Sequence, residues 1–403
     1  MGDLASISEF PEQASWLEIS QAAIVHNIAI YRNSVDSNVL LGCVLKGNAY
    51  GHGLMQCLEI MHGYIDIIFV INPIDAFKIR KYEKENDLTQ KRVVVLGAIS
   101  ADEAVRCARK VIEVVIGDEN WLHKLHNLKR SEEDAGNAYR PLKAHIHIDT
   151  GLGREGFTVD NIAEKIDFLT KFKDLIHIQG VMSHFSNTED VTEQSYAYEQ
   201  LAAFDNAFAQ IEKKLALAYP LERHFAQSAA SLVLPNARYE IMRVGIALYG
   251  LWPSIETKLS TRVVLQDLPK LKPALTWKCL SQSIKHIREG SYIGYGCTFR
   301  ADRDLRVALF PLGYYDGYPR LLSNKSYVLI NEMRCRVLGR VMMNHIIVDV
   351  TEATSDETSV VATLIGSNGK ESISAENLAD WSQTINYEIV TRIGSHLKRV
   401  VVD

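Results

Sequence analysis

No excess of positive charge marks this chain for nucleic acid. Its 44 Lys and Arg are outnumbered by 49 Asp and Glu, for a net charge of −5, whereas such binding needs a clustered basic footprint. Blocks such as Lys81-Tyr82-Glu83-Lys84-Glu85 mix signs and read as solvated helix faces. No apolar run approaches the roughly 20 residues of a membrane helix, so no membrane partner is expected. Close cysteine pairs are also missing. Cys43, Cys57, Cys107, Cys279, Cys297 and Cys335 are scattered, which excludes the paired spacing of a metal site and suits reduced thiols in the cytoplasm. Met1 to Ser15 has neither a basic segment nor an apolar core, so it does not read as a signal peptide. Internal repeats and low-complexity tracts are absent as well. What is present is a 403-residue chain that is 47% hydrophobic, enough for a large core and more than one domain.

Strand-like and helix-like runs alternate through the first two thirds. Short Val- and Ile-rich runs lie at 41–46, 66–71, 92–97, 112–116, 143–149, 175–183, 222–227 and 239–243, too brief for helices. Helical stretches lie between them at 53–62, 73–85, 101–110, 120–129, 159–172, 192–217 and near Ala229. Pro73 suits a first helical turn, and Ser100 and Asp118 are candidate caps. Eight strands with seven intervening helices predict an α/β fold, a (β/α)8 TIM-type barrel over residues 16–255. A doubly wound open sheet is the rival, but nothing marks a reversal of strand order. After Pro253 the pattern changes to strand-like runs at 278–287, 305–311, 326–330, 335–341, 346–350 and 360–365, separated by Gly, Asn, Asp and Ser, with one short helix at 375–381. A mostly β domain is therefore expected over 256–403, with the boundary in the polar stretch 254–258 and residues 1–15 packing on the β domain.

In a barrel of this type, sites form where strands finish and loops begin. Lys46 ends the first strand and precedes Gly47, Tyr50, Gly51, His52 and Gly53. A lysine desolvated there loses basicity, and its amine can hold an aldehyde as a Schiff base. A surface lysine before a glycine turn is the plainer alternative. Asp149, Thr150, Gly151 and Arg154 follow the fifth strand, His184 the sixth, and Gln227 and Ser228 the seventh; Arg243 ends the eighth, with Gly245 and Ile246 beyond. The last two loops suit a phosphate, through the Ser228 hydroxyl, a short helix start and the backbone at Gly245. Tyr50 can add its phenol. A phosphate near a lysine amine describes pyridoxal 5′-phosphate.

The motifs that carry this chemistry occur in a fixed order: Leu45-Lys46-Gly47-Asn48-Ala49-Tyr50-Gly51-His52-Gly53, Asp149-Thr150-Gly151-Leu152-Gly153-Arg154, Ser183-His184-Phe185, Ser228-Ala229-Ala230 and Arg243-Val244-Gly245-Ile246-Ala247-Leu248-Tyr249-Gly250. The last third adds Gly294-Tyr295-Gly296-Cys297-Thr298-Phe299, Gly313-Tyr314-Tyr315-Asp316-Gly317-Tyr318 and Gly339-Arg340-Val341-Met342-Met343-Asn344. In these the chain resembles the alanine racemase family from Trp16 to its C-terminus. The resemblance implies a homodimeric, pyridoxal-phosphate-dependent racemase acting on a small amino acid with two bases. Lys46 would carry the cofactor and serve as one base; Tyr295, from the partner subunit, would be the other, aided by His184. Arg243 would face the pyridine nitrogen and, always protonated, keep that nitrogen unprotonated. Tyr50, Ser228, Gly245 and Ile246 would bind the phosphate, and Arg154 would approach the cofactor's phenolic oxygen. Met343 would touch the substrate and Tyr314 line the entry, both from the partner.

Four positions depart from the family pattern. His147 stands where a lysine, often carbamylated, commonly positions the arginine matching Arg154, and an imidazole cannot supply that anion. Gln227 replaces an asparagine and Asn344 an aspartate. Ser395 falls where many members place a phosphate-contacting tyrosine. Alanine is the leading substrate; a serine or broad-specificity racemase and a cofactor-binding protein with little catalysis are the alternatives.

Overall fold

A computed structural model describes residues 13–134, 139–188, 193–265 and 268–403. The expected packing of residues 1–12 and the expected helix start at Thr192 lie outside them. The chain divides into two compact units. One comprises Val25–Lys46 and Leu58–Lys272; the other comprises the N-terminal segment to Ile24, Gly47–Cys57 and Pro273–Asp403.

The first unit holds eight parallel strands: Leu40–Val44, Ile67–Val70, Arg92–Val95, Glu113–Ile116, Leu142–Asp149, Ile176–Met182, Glu222–His224 and Ile241–Val244. Each pairs with the next from the first to the seventh, and the eighth pairs with the first. The Arg243 N–H donates to the Ala226 carbonyl at 3.0 Å, which leaves a nearly closed barrel, as the sequence pattern predicts. All four residues of Ile67–Val70 and of Glu113–Ile116 are buried, the pattern of parallel strands covered on both faces. Helix starts follow local chemistry. Pro73 opens its helix beneath the Asn72 cap, and Ser100 forms a reciprocal capping box with Glu103. Asp118 differs from expectation: it accepts from the Asn120 N–H, ahead of a helix that starts at Leu122. The expected single helix over 159–172 is a short α-helix, Ile162–Leu169, with 3-10 turns on either side.

The second unit is mostly β. A path of nine strands runs Ser283–Ile287, Leu305–Phe310, Ile346–Asp349, Met333–Leu338, Tyr327–Ile330, Val361–Asn368, Leu275–Leu280, Ser15–Ser20 and Lys398–Val402. Neighbours are antiparallel except the last pair. Two differences from the sequence reading concern boundaries. Ser15–Ser20 belongs to this β unit, between Leu275–Leu280 and Lys398–Val402, not to the barrel. The polar stretch at 254–258 is a helix start: the Ser254 hydroxyl accepts from the Thr257 N–H and caps Ile255–Val264. The units divide later, between Lys272 and Pro273. A helix at Asn386–Thr391 and the strand at Lys398–Val402 were not expected either.

Candidate active site

The first barrel strand ends at Val44, two residues before Lys46, although the Leu45 N–H still donates to the Phe69 carbonyl at 2.8 Å. After Lys46 the backbone turns left-handed. Gly47, Asn48, Ala49 and Tyr50 have φ of 61°, 55°, 53° and 52°, and Gly51 has 83°. Such a conformation costs roughly 1–2 kcal/mol per non-glycine residue, so the surroundings must enforce it. Several contacts do. The Asn48 side chain accepts from the Leu54 N–H at 2.9 Å, and the Gly51 N–H reaches the Gly47 carbonyl at 2.9 Å. The Arg399 guanidinium donates twice to the Gly51 carbonyl, at 3.0 and 2.9 Å. A Cβ at Gly51 would sit 1.8 Å from the Val390 carbonyl oxygen, so only glycine fits. The turn buries Tyr50, its ring centroid 6.0 Å from that of Tyr387. Burial raises its phenol above the ordinary range, which keeps Tyr50 protonated as a hydrogen-bond donor.

At the same end of the barrel, cations outnumber anions. Burial lowers the Lys46 ammonium pKa, and the nearby positive charges of Arg154 and Arg243 lower it further; Glu155 opposes them. The result favours a neutral, nucleophilic amine. Arg243 is buried, and desolvation followed by Arg154 brings its pKa down to about 9. It donates to the Ser183 carbonyl at 2.7 Å, the Phe225 carbonyl at 3.0 Å and the His224 carbonyl. It also faces His184 Nδ1 at 3.4 Å. Arginine only donates, so that His184 nitrogen must accept. Burial and Arg243 push the His184 pKa well below its usual value, consistent with a neutral ring.

Arg154 is exposed and does not pair with Asp149. The Asp149 carboxylate instead accepts from the Gly151 and Gly153 N–H groups at 2.9 and 3.1 Å. His147 is buried, and desolvation, then Arg243 and Arg154, lower its pKa to about 4. It is neutral near pH 7 and supplies no anion to Arg154. Both residues border a cavity of about 480 Å³ together with Trp121, Lys124 and Glu155.

The seventh and eighth loops are tied together. The Gly245 N–H donates to the Ser228 hydroxyl at 2.9 Å, so this amide is already engaged in the side-chain bond. Tyr31 donates to the Ser228 carbonyl at 3.2 Å, and Ala230–Val233 forms the short expected helix. Ile246 is buried beside Gly245. Gln227 donates to Thr188 at 3.0 Å, while its buried carbonyl oxygen has no partner among the described residues.

Tyr295, Tyr314 and Met343 lie in the β unit and are exposed by 70%, 42% and 54%. They share one neighbourhood. The Tyr314 and Tyr315 N–H groups donate to the Met342 and Met343 carbonyls, each at 3.0 Å. The turn that carries Tyr295 packs Gly294 against Gly339, Arg340 and Met342. Asn344 and Ser395 are exposed.

The donor set of the barrel end fits a phosphate-bearing aldehyde. It offers one amine of lowered basicity, two arginines, a hydroxyl and, among the described residues, no carboxylate against Arg243, so an anionic group would relieve the charge imbalance. The family model for the N-terminal domain of alanine racemase matches residues 19–253, and that for the C-terminal domain matches residues 274–401. The chain belongs to the alanine racemase family. An alanine racemase of Leptospira interrogans is 35% identical over 97% of this chain and 96% of its own, and one of Methylacidiphilum infernorum is 33% identical over 96% and 92%. The alanine racemase of Bacillus anthracis with bound L-Ala-P superposes with a TM-score of 0.86 at 29% identity, covering 97% of this chain and 96% of that one. The family's reaction, and this chain's, is the pyridoxal-phosphate-dependent interconversion of L- and D-alanine, an isomerisation.

Several buried residues escaped the sequence reading, namely Glu113, His145, His224 and Arg399. A signal for one of them, His145, was present. In Lys143-Ala144-His145-Ile146-His147-Ile148-Asp149, polar residues alternate with apolar ones. A period of two puts His145 and His147 on the same face of a strand.

Proposed function

We propose that Lys46 and Tyr295 are the two bases of this racemase, with Tyr295 contributed by the second subunit of a homodimer. The observation that carries the Lys46 assignment is its lowered basicity, caused by burial and by Arg154 and Arg243. Pyridoxal phosphate, when bound, supplies the electron sink that acidifies the hydrogen on the substrate's α-carbon. The protein's groups do the rest. Lys46 takes or returns the proton at its amine on one face, and Tyr295 does so at its phenol oxygen on the other. A phenol ordinarily titrates near 10, so Tyr295 needs neighbouring donors or cations, and His184 is the assigned helper. Arg243, a permanent donor toward the ring nitrogen, withholds a proton from it and so disfavours side reactions such as transamination. Tyr50, Ser228, Gly245 and Ile246 hold the phosphate, and Arg154 meets the phenolic oxygen. Tyr314 and Met343 of the partner line the substrate's path.

The homodimer is supported by the exposure of Tyr292, Tyr295, Tyr314, Tyr315 and Met343 in the β unit, since large apolar side chains clustered at a surface mark an interaction site. A cytoplasmic location agrees with six cysteines of which none forms a disulfide among the described residues. Among the described residues, no helix is long and apolar enough to cross a membrane.

The test is a chiral assay of cofactor-loaded protein on separate L-alanine, L-serine, L-lysine and L-arginine. D-alanine formed fastest supports the reading and makes His147, Gln227, Asn344 and Ser395 tolerated variation. A faster rate on a larger amino acid keeps the racemase chemistry and moves the substrate. No D-product from any of the four would sink the two-base proposal.

A further inference from the structure

Behind Arg243 the barrel interior holds a chain of polar side chains where apolar layers are the norm for this fold. Arg243 Nη1 lies 3.0 Å from His224 Nδ1. His224 Nε2 lies 3.0 Å from His145 Nδ1, and His145 Nε2 lies 2.8 Å from Glu113 Oε2. The two imidazoles meet edge to face, their centroids 4.8 Å apart and their planes at 87°. His145 and His224 are fully buried; Glu113 is 2% and Arg243 3% exposed. At the far end, Arg92 donates to both Glu113 oxygens, at 3.0 and 2.9 Å, and to both Glu222 oxygens at 2.7 Å.

The direction of every hydrogen bond in this chain follows from one fact. A guanidinium has donors and no acceptor. His224 Nδ1 must therefore be a lone pair, which puts the His224 proton on Nε2. That proton points at His145 Nδ1, which must then accept, so the His145 proton sits on Nε2 and goes to Glu113. Only an acceptor can end the series, and among the described residues Glu113 is the carboxylate it reaches. Burial opposes ionisation of Glu113, but hydrogen bonds from His145 and Arg92 outweigh it and hold the carboxyl at about 2. Both rings are neutral in this arrangement; an extra proton on His145 would push a donor onto His224 and then a donor onto Arg243. The fold makes room for it. A Cβ at Gly180 would lie 2.8 Å from His145 Nδ1 and 2.4 Å from the Glu222 carbonyl oxygen.

We infer that Glu113, through His145 and His224, is a positioning residue that fixes the orientation and charge of Arg243. This rests on the reading that Arg243 faces the cofactor's ring nitrogen. Among the described residues no carboxylate lies against Arg243, and the anion that balances it stands two imidazoles away. The arrangement aims the guanidinium firmly without neutralising it. A carboxylate in direct contact would instead compete with the cofactor for its N–H groups.

Two variants break the series at different points. Glu113→Gln removes the charge with little change of shape, and His145→Phe removes the middle ring while filling its space. Glu222→Gln is the structural control, because it loosens Arg92 without touching either histidine. Histidine 15N NMR on the dimeric holoenzyme should show two neutral rings with the proton on Nε2 in the native protein and in Glu222→Gln. The His224 signals should shift or split in the other two variants. In those two, racemisation should fall about tenfold with KM within twofold, the transamination fraction should rise several-fold, and the cofactor absorbance should change. If Glu113→Gln and His145→Phe lose only thermal stability, as Glu222→Gln does, Glu113 is a scaffold residue and the relay is overturned. If an Arg243→Lys variant leaves cofactor absorbance and the side-reaction fraction unchanged, the placement of Arg243 itself fails, and the relay's purpose with it.

Discussion

The two proposed bases, Lys46 and Tyr295, stand in opposite environments. Burial, then the positive charges of Arg154 and Arg243, lower the basicity of Lys46; Tyr295 is 70% exposed on the isolated chain. Replacing Lys46 by alanine should abolish racemisation, by more than about a thousandfold for a lost base, while far-UV circular dichroism stays native. Full retention of activity in that variant would defeat the assignment. Tyr295→Phe should impair α-proton removal from one enantiomer more than from the other, read by single-turnover exchange with deuterium from solvent. Equal loss from both would argue against separate bases. At this scale the sequence was most legible close to the strand ends: Lys46 and His184 lie two residues beyond theirs and Arg243 one residue before its own. It was least legible for Glu113, whose pairing with His145, 32 residues away in the chain, is invisible to local pattern.

Among the elements, the left-handed turn after Lys46 is the least expected from composition. Two glycines announced a turn, but Asn48, Ala49 and Tyr50 have no intrinsic reason to adopt φ near 55°. At its end, Arg399 holds the Gly51 carbonyl and the Val390 backbone leaves no room for a side chain, both more than 300 residues away in sequence. Gly51→Ala should therefore cost at least several kcal/mol, well beyond an ordinary left-handed penalty, because the added carbon would overlap the Val390 carbonyl. Denaturant unfolding of the pair would measure it, and a loss below about 1 kcal/mol would mean the turn simply shifts aside. Helix Ile255–Val264 shows the opposite failure. Its polar start at Ser254 looks like a linker in sequence but is a cap in the structure, since serine serves both purposes. The Val- and Ile-rich barrel strands were read correctly because fully buried parallel strands tolerate little else.

At the scale of the whole molecule, a site shared between subunits has a direct signature. Mixing inactive Lys46→Ala with inactive Tyr295→Phe, followed by subunit exchange, should restore activity to roughly a quarter of native. Half the dimers are then mixed and each mixed dimer has one intact site. No restoration, with exchange verified by mass spectrometry, would place both bases in one chain. Acid stability is a second global property. His147 and His52 are each lowered to about 4, mainly by burial, so they stay neutral in the fold while the unfolded chain takes up protons near 6.5. Their contribution is fully present above pH 6.5 and is lost as pH falls toward 4, by up to about 3 kcal/mol each. His147→Gln should flatten the fall of Tm across that window. An unchanged slope would mean that His147 is protonated in the native protein.

The sequence by itself determined the barrel, the β unit, the family and the residues at the strand ends, because burial periodicity and short turn motifs are local and survive without partners. Tertiary structure alone decided where the units divide, that Ser15–Ser20 joins the β unit, that the Lys46 turn is left-handed, and that Arg243 is backed by two histidines and a glutamate. Each of these depends on atoms far apart in the chain meeting in a dry interior, where a hydrogen bond has no water to replace it.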